Sequence, residues 1–147
     1  MKRTEFNLAQ PTFAEARPAI EAVRRRVFIE EQQVPEELEW DGQDEHARHL
    51  LVTAGDGTPV ATARLLPEGH IGRMAVLPAW RGQGVGAAML RRLLEMAREQ
   101  HLSRVFLNAQ LGAEGFYAKA GFHSEGETFM DAGIPHKRMV LELARID

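Results

Sequence analysis

Residues 75–86 read AVLPAWRGQGVG, with Gly82, Gly84 and Gly86 alternating behind Arg81. An apolar run that turns through glycines into a helix leaves backbone N–H groups free at the positive end of the helix dipole, where phosphates bind. Three positions without side chains let an anion reach the backbone, and Arg81 sets a positive charge beside it. The Gly-Lys-Ser/Thr of a nucleoside-triphosphate loop is missing. Gly82-x-Gly84-x-x-Ala87 meets the permissive dinucleotide spacing, but the acidic ribose partner expected about 20 residues on is absent from residues 104–108. A dinucleotide site is therefore the lesser alternative. A second concentration of chemistry is the run Glu30, Glu31, Glu36, Glu37, Glu39, Asp41, Asp44 and Glu45, which has no lysine or arginine within it. It reads either as a solvated helix end and loop, or as an entrance, with Trp40 in its midst, that attracts a cation.

The elements that must hold these groups follow from periodicity. Residues 4–8 and 71–77 read as strands. Residues 49–53 and 60–66 form a hairpin around Gly55-Asp56-Gly57-Thr58-Pro59. Ala16, Ile20, Val23 and Val27 recur at helical steps and predict a helix over 14–31 with Pro18 in its first turn or delaying its start. After Gly86, the residues Val85, Met89, Leu93 and Met96 or Ala97 share one helical face, with arginines and glutamates opposite. Residues 104–108 follow as a strand parallel to 71–77, because a helix separates the two. A short helix over 112–120 and a closing antiparallel pair, 122–129 with 138–143, complete the chain.

A length of 147 residues, 44% of them hydrophobic, fits a single domain, 1–147. No apolar stretch is long enough for a membrane span, and residues 1–10 lack an export signal, so a cytoplasmic location is expected. The absence of cysteine excludes disulfides, thiol catalysis and cysteine-ligated metals. A net charge of −3, with Arg24-Arg25-Arg26 too short for a basic patch, argues against nucleic acid.

The run Val76-Leu77-Pro78-Ala79-Trp80-Arg81-Gly82-Gln83-Gly84-Val85-Gly86 resembles the R/Q-x-x-G-x-G/A signature of the GNAT superfamily of N-acetyltransferases. Gly115-Phe116-Tyr117-Ala118-Lys119-Ala120-Gly121-Phe122 resembles a second element of that family, in the expected order. The resemblance implies an α/β (α+β) fold: a mixed, mainly antiparallel sheet of about six to seven strands flanked by helices, with a splayed parallel pair in the middle. It implies acetyl-CoA as acyl-donor cosubstrate and no metal. Arg81, Gly82, Gln83, Gly84, Val85 and Gly86 would hold the pyrophosphate. Met74, Ala75, Val76 and Asn108 would bind the pantetheine arm, whose extended chain suits unpaired strand edges. Tyr117, the one tyrosine in the chain, falls where many members use a phenol as the acid. The carboxylate that many relatives carry near the start of the glycine-turn strand is replaced by Gly72 and Arg73. His70, Glu31, His136 and a water chain stay open as the base, and an amine already partly neutral needs none.

Residues 27–35 (VFIEEQQVP) and 133–136 (GIPH) resemble a narrower set of small bacterial members. By that likeness Glu31, Gln32, Trp40, Asp41 and His136 are candidates to contact the acceptor. The expected function is acetyl transfer to a primary amine by direct attack, with a small cationic amine or lysine-like group as acceptor. A non-catalytic acyl-CoA-binding module is the alternative. Exposed strand edges near the C-terminus would permit a homodimer.

Overall fold

The computed structural model describes residues 5–143. Four antiparallel strands come first, in spatial order: β1 (Phe6–Ala9), β2 (Arg48–Ala54), β3 (Pro59–Leu65) and β4 (Ile71–Val76). A second antiparallel sheet holds β5 (Arg104–Gln110), β6 (His123–Asp131) and β7 (Ile134–Glu142), with β7 between the other two. The sheets meet at one parallel bridge, His70 to Phe106, where the Phe106 N–H donates to the Gly69 carbonyl at 3.0 Å. Gly69 is required at that junction: its φ is +100°, and a Cβ there would lie 2.8 Å from the Arg104 carbonyl oxygen. The expected parallel pairing of β4 and β5 thus reduces to a single bridge at His70, just before β4, beyond which no ladder joins them among the described residues.

Helix α1 (Phe13–Arg24) starts at a capping box. The Glu15 N–H donates to Thr12 Oγ1 at 3.2 Å, and the Thr12 N–H donates to Glu15 Oε1 at 3.0 Å. That cap sets the start well before Pro18, which lies in the second turn and not, as its ring suggested, in the first. The helix then widens into a π-helical segment, Arg25–Glu31, followed by the short α2 (Glu36–Glu39). Helix α3 (Val85–Glu99) buries Met89, Leu93, Met96 and Ala97, the face expected from their spacing. At about 1.5–3 kcal/mol for each large apolar side chain removed from water, this stripe anchors the helix that the glycine turn feeds. Both α1 and α3 pack on β3, which is buried at every position from 60 to 65. Helix α4 (Glu114–Lys119) is shorter than the expected 112–120, and β7 begins earlier than 138. The strand expected over 4–8 appears as β1; Thr4 lies outside the described residues. No helix among the described residues is long and apolar enough to cross a membrane.

Candidate active site

Where β4 and β5 part, a cleft of about 530 Å³ opens. Its floor is the free edges of these strands, and its sides are the π-helical segment, α4 and the β6–β7 hairpin. Pairing between β3 and β4 slips within this floor: Thr62 faces Ala75, but Arg64 faces Gly72. The extra residue makes a bulge with Arg73 at φ +51°, a conformation that costs a bulky residue about 1–3 kcal/mol. Arg73 is held there from outside. Its guanidinium reaches the carbonyls of Leu38 and Glu39 at 3.3 and 3.1 Å, and lies 3.2 Å from Glu39 Oε2 and 3.3 Å from Asp41 Oδ2.

At the C-terminal end of β4 the chain is bare. Gly82 and Gly84 have φ of +76° and +85°, and a Cβ at either would meet nothing within 4 Å. Gly84 caps α3 without any side-chain bond, and among the described residues no side chain takes the first-turn N–H groups. Met74, Ala75, Val76, Arg81, Gly86 and Asn108 all line the cleft. Val85 is buried in the core and can offer only its backbone, while the Gln83 side chain donates to the Ala79 carbonyl at 2.9 Å. Arg81 is engaged: Nε donates to the Val76 carbonyl at 2.9 Å, and the guanidinium forms a two-pronged pair with Glu31 at 2.7 Å each. Hydrogen bonding to Arg81 holds the Glu31 carboxyl below its ordinary range.

Tyr117 projects from α4 into the cleft, its hydroxyl donating to Met74 Sδ at 3.5 Å and its ring edge-on to Phe116 and Phe122. Burial pushes its phenol up to about 12, so it keeps its proton at neutral pH. His136, on β7, also lines the cleft; Nδ1 lies 2.7 Å from the Ile134 carbonyl and donates its proton there, so Nε2 is the ring nitrogen left for other partners. Gln32 lines it too and accepts from Gln110 Nε2 at 2.9 Å.

Of the acidic run, Glu30, Glu37 and Glu45 are solvent-exposed, as the solvated reading expects, while the others meet arginines and form no negative entrance. Glu39 and Asp44 bind the buried Arg24 at 2.8 and 2.7 Å; Asp41 and Asp44 bind Arg64 at 2.6 and 3.0 Å. Glu36 pairs with Arg25 at 2.7 Å, and Trp40 lies against Arg24 and Arg25 with its Nε1 donating to Glu36 at 3.1 Å. Trp40 and Asp41 are therefore not among the cleft-lining residues, and Glu31 faces Arg81. The arginines that answer these acids come from α1, β3, β4 and the glycine turn, so no local count could reveal them. The lining carboxylate without an arginine partner among the described residues is Asp131, on the β6–β7 hairpin. Its signal was only the turn sequence Asp131-Ala132-Gly133. Phe28, Phe116 and Arg73 also line the cleft and were not singled out for it.

A splayed strand pair, a bulged floor and a helix entered through uncapped glycines are the architecture of an acyltransferase domain. Residues 11–143 match the family model described as acetyltransferase (GNAT) domain, and the chain belongs to that family. It is 39% identical to a Bacillus subtilis (strain 168) protein described as the uncharacterized N-acetyltransferase YjcF, over 80% of this chain and 86% of that one. Among solved structures it resembles an acyl-CoA N-acyltransferase from Pseudomonas aeruginosa, at 31% identity and a TM-score of 0.80, covering 92% and 99% of the two chains. It also resembles Escherichia coli ElaA, at 29% identity and a TM-score of 0.84, covering 94% and 100%.

Proposed function

We propose that the protein transfers an acetyl group from acetyl-CoA to a primary amine. The observation that carries this reading is the pairing of free β4 and β5 edges with the uncapped N-terminus of α3 at one end of the same cleft. The residues fit the donor: the open Gly82 and Gly84 turn offers backbone N–H groups to a pyrophosphate, and the main-chain groups of Met74, Ala75 and Val76 and the side chain of Asn108 offer partners to an amide-bearing arm. Acetyl-CoA supplies the activated thioester. Tyr117, protonated and beside β4, gives its proton to the departing sulfur, and a bulge N–H stabilises the oxyanion. The acceptor is a small cationic amine whose ammonium group meets Asp131 and His136, and Gln32, bonded to Gln110 on β5, lines the same cleft. Glu31, Trp40 and Asp41 do not line the cleft, and their arginine partners account for them, so they are left out of the acceptor site.

The test is release of CoA thiol from acetyl-CoA with a panel comprising a diamine, a polyamine, lysine, and neutral and acidic amino acids. Turnover with the cationic amines is expected, falling about 100-fold in Tyr117→Phe. Acetyl-CoA binding with no thiol release from any acceptor would instead mark a non-catalytic acyl-CoA module.

A further inference from the structure

Resting on that reading, we propose that His70 is the general base, taking the proton from the acceptor's ammonium group before attack. His70 sits at the apex where β4 and β5 part, and its side chain lines the cleft. Its ring is stacked on Phe106, with centroids 4.8 Å apart and planes 22° from parallel, which fixes its direction. Neither ring nitrogen has a hydrogen-bond partner among the described residues. Nε2 lies 4.0 Å from where a Cβ on Gly72 would stand, so the His70 ring lies beside Gly72. Tyr117 meets β4 at Met74. Four residues of strand, at most about 13 Å, thus separate the His70 and Met74 backbones. That span accommodates the amine nitrogen, the carbonyl carbon and the sulfur in a row, with a water where reach is short.

The proton balance is complete with these two groups. His70 accepts one proton from R–NH3+ and passes it to solvent. The neutral amine forms the C–N bond, the C–S bond breaks, and Tyr117 protonates the thiolate, recovering a proton from the newly bonded nitrogen. His70 must be neutral to begin, and its surroundings favour that: burial lowers its pKa, Arg64 on β3, Arg73 on β4 and Arg138 on β7 lower it further, and Glu68 in the preceding turn opposes them. His136 differs, since its Nδ1 is committed to the Ile134 carbonyl and it stands across the cleft on β7.

The decisive measurement is kcat/KM against pH for wild type, His70→Ala and His70→Gln, with the fastest cationic amine of the panel and with trifluoroethylamine, which is neutral at assay pH. For the cationic amine, both variants should lose about 100-fold and lose the limb below the ordinary histidine pKa. For trifluoroethylamine the loss should shrink to a few-fold, and added imidazole should restore part of the rate in His70→Ala. An unchanged acid limb, or equal losses for both amines with acetyl-CoA affinity preserved, overturns the assignment while leaving the transferase reading intact. Absence of thiol release from wild type overturns the transferase reading and His70's role together.

Discussion

The two ends of β4 solve opposite problems. At its C-terminal end the glycine turn presents backbone with almost nothing on it, and the charged side chain there, Arg81, is part-exposed and paired with one carboxylate. At its N-terminal end the bulge is fastened by charge: Arg24, Arg64 and Arg73 against Glu39, Asp41 and Asp44, with Arg24 1% and Glu39 3% exposed. The first region leaves the glycine backbone uncovered, and its side-chain polar groups, Arg81 and Gln83, meet neighbours at the surface. The second must hold Arg73 in a strained conformation, so its polar groups are satisfied by one another. The same ion pair therefore has a different worth at each end, since a buried charge that loses its partner cannot recover it from water.

Like substitutions at the two ends should expose that difference. Arg24→Met leaves Glu39 and Asp44 short of a partner in the interior and should cost about 3–5 kcal/mol, read as a lower urea midpoint. Arg81→Met, at a pair whose side chains are 42% and 34% exposed, should cost no more than about 1 kcal/mol. Equal losses would mean that burial does not distinguish the two regions.

Acid sharpens the contrast. Burial works to raise Asp41 and Asp44, but hydrogen bonds from Arg64 to Asp41 and from Arg24 to Asp44, with the charges of these arginines, overcome it and hold both carboxyls below the ordinary range. A carboxylate depressed in the folded state adds stability above its unfolded pKa, about 3.9, and loses it as pH falls further toward the folded value. Glu39 opposes this, because burial raises it. Urea midpoints should thus hold near neutrality and drop below about pH 4, and Asp41→Asn should flatten the drop while lowering stability at pH 7. A profile in Asp41→Asn as steep as wild type would remove Asp41 from the network's pH response.

The contrast also explains what could be read from the chain. The turn was legible because its logic is local: Gly82, Gly84, Gly86 and the helix after them are contiguous, and the apolar stripe through Met89 and Leu93 marks where that helix packs. The strands around the cleft were legible for the same reason. The ion network was not, because Asp44 meets Arg64 twenty residues away and Arg73 meets Glu39 through folding alone. A run of acids without a local cation left two readings open, a solvated loop or a negative entrance, and only the tertiary fold supplies its arginines. The bulge left even less trace, since nothing about Arg73 as a residue type announces a positive φ.

The smallest effect on stability falls on Glu31, the carboxylate paired with Arg81 at the glycine turn. Glu31 occupies the guanidinium of Arg81 in two bonds of 2.7 Å, so under the proposed function a pyrophosphate would compete with a carboxylate for the same donors. Glu31→Gln removes the competing charge and keeps the shape. Unfolding should shift by no more than about 1 kcal/mol, as for other exposed pairs, whereas acetyl-CoA should bind several-fold more tightly, with a steeper dependence on salt because Arg81 then meets the phosphates unneutralised. Calorimetric titration at two ionic strengths measures both quantities. Weaker binding in Glu31→Gln would reverse the reading and make Glu31 the group that aims Arg81 at the phosphate, with the ion pair a support to binding and no longer its competitor.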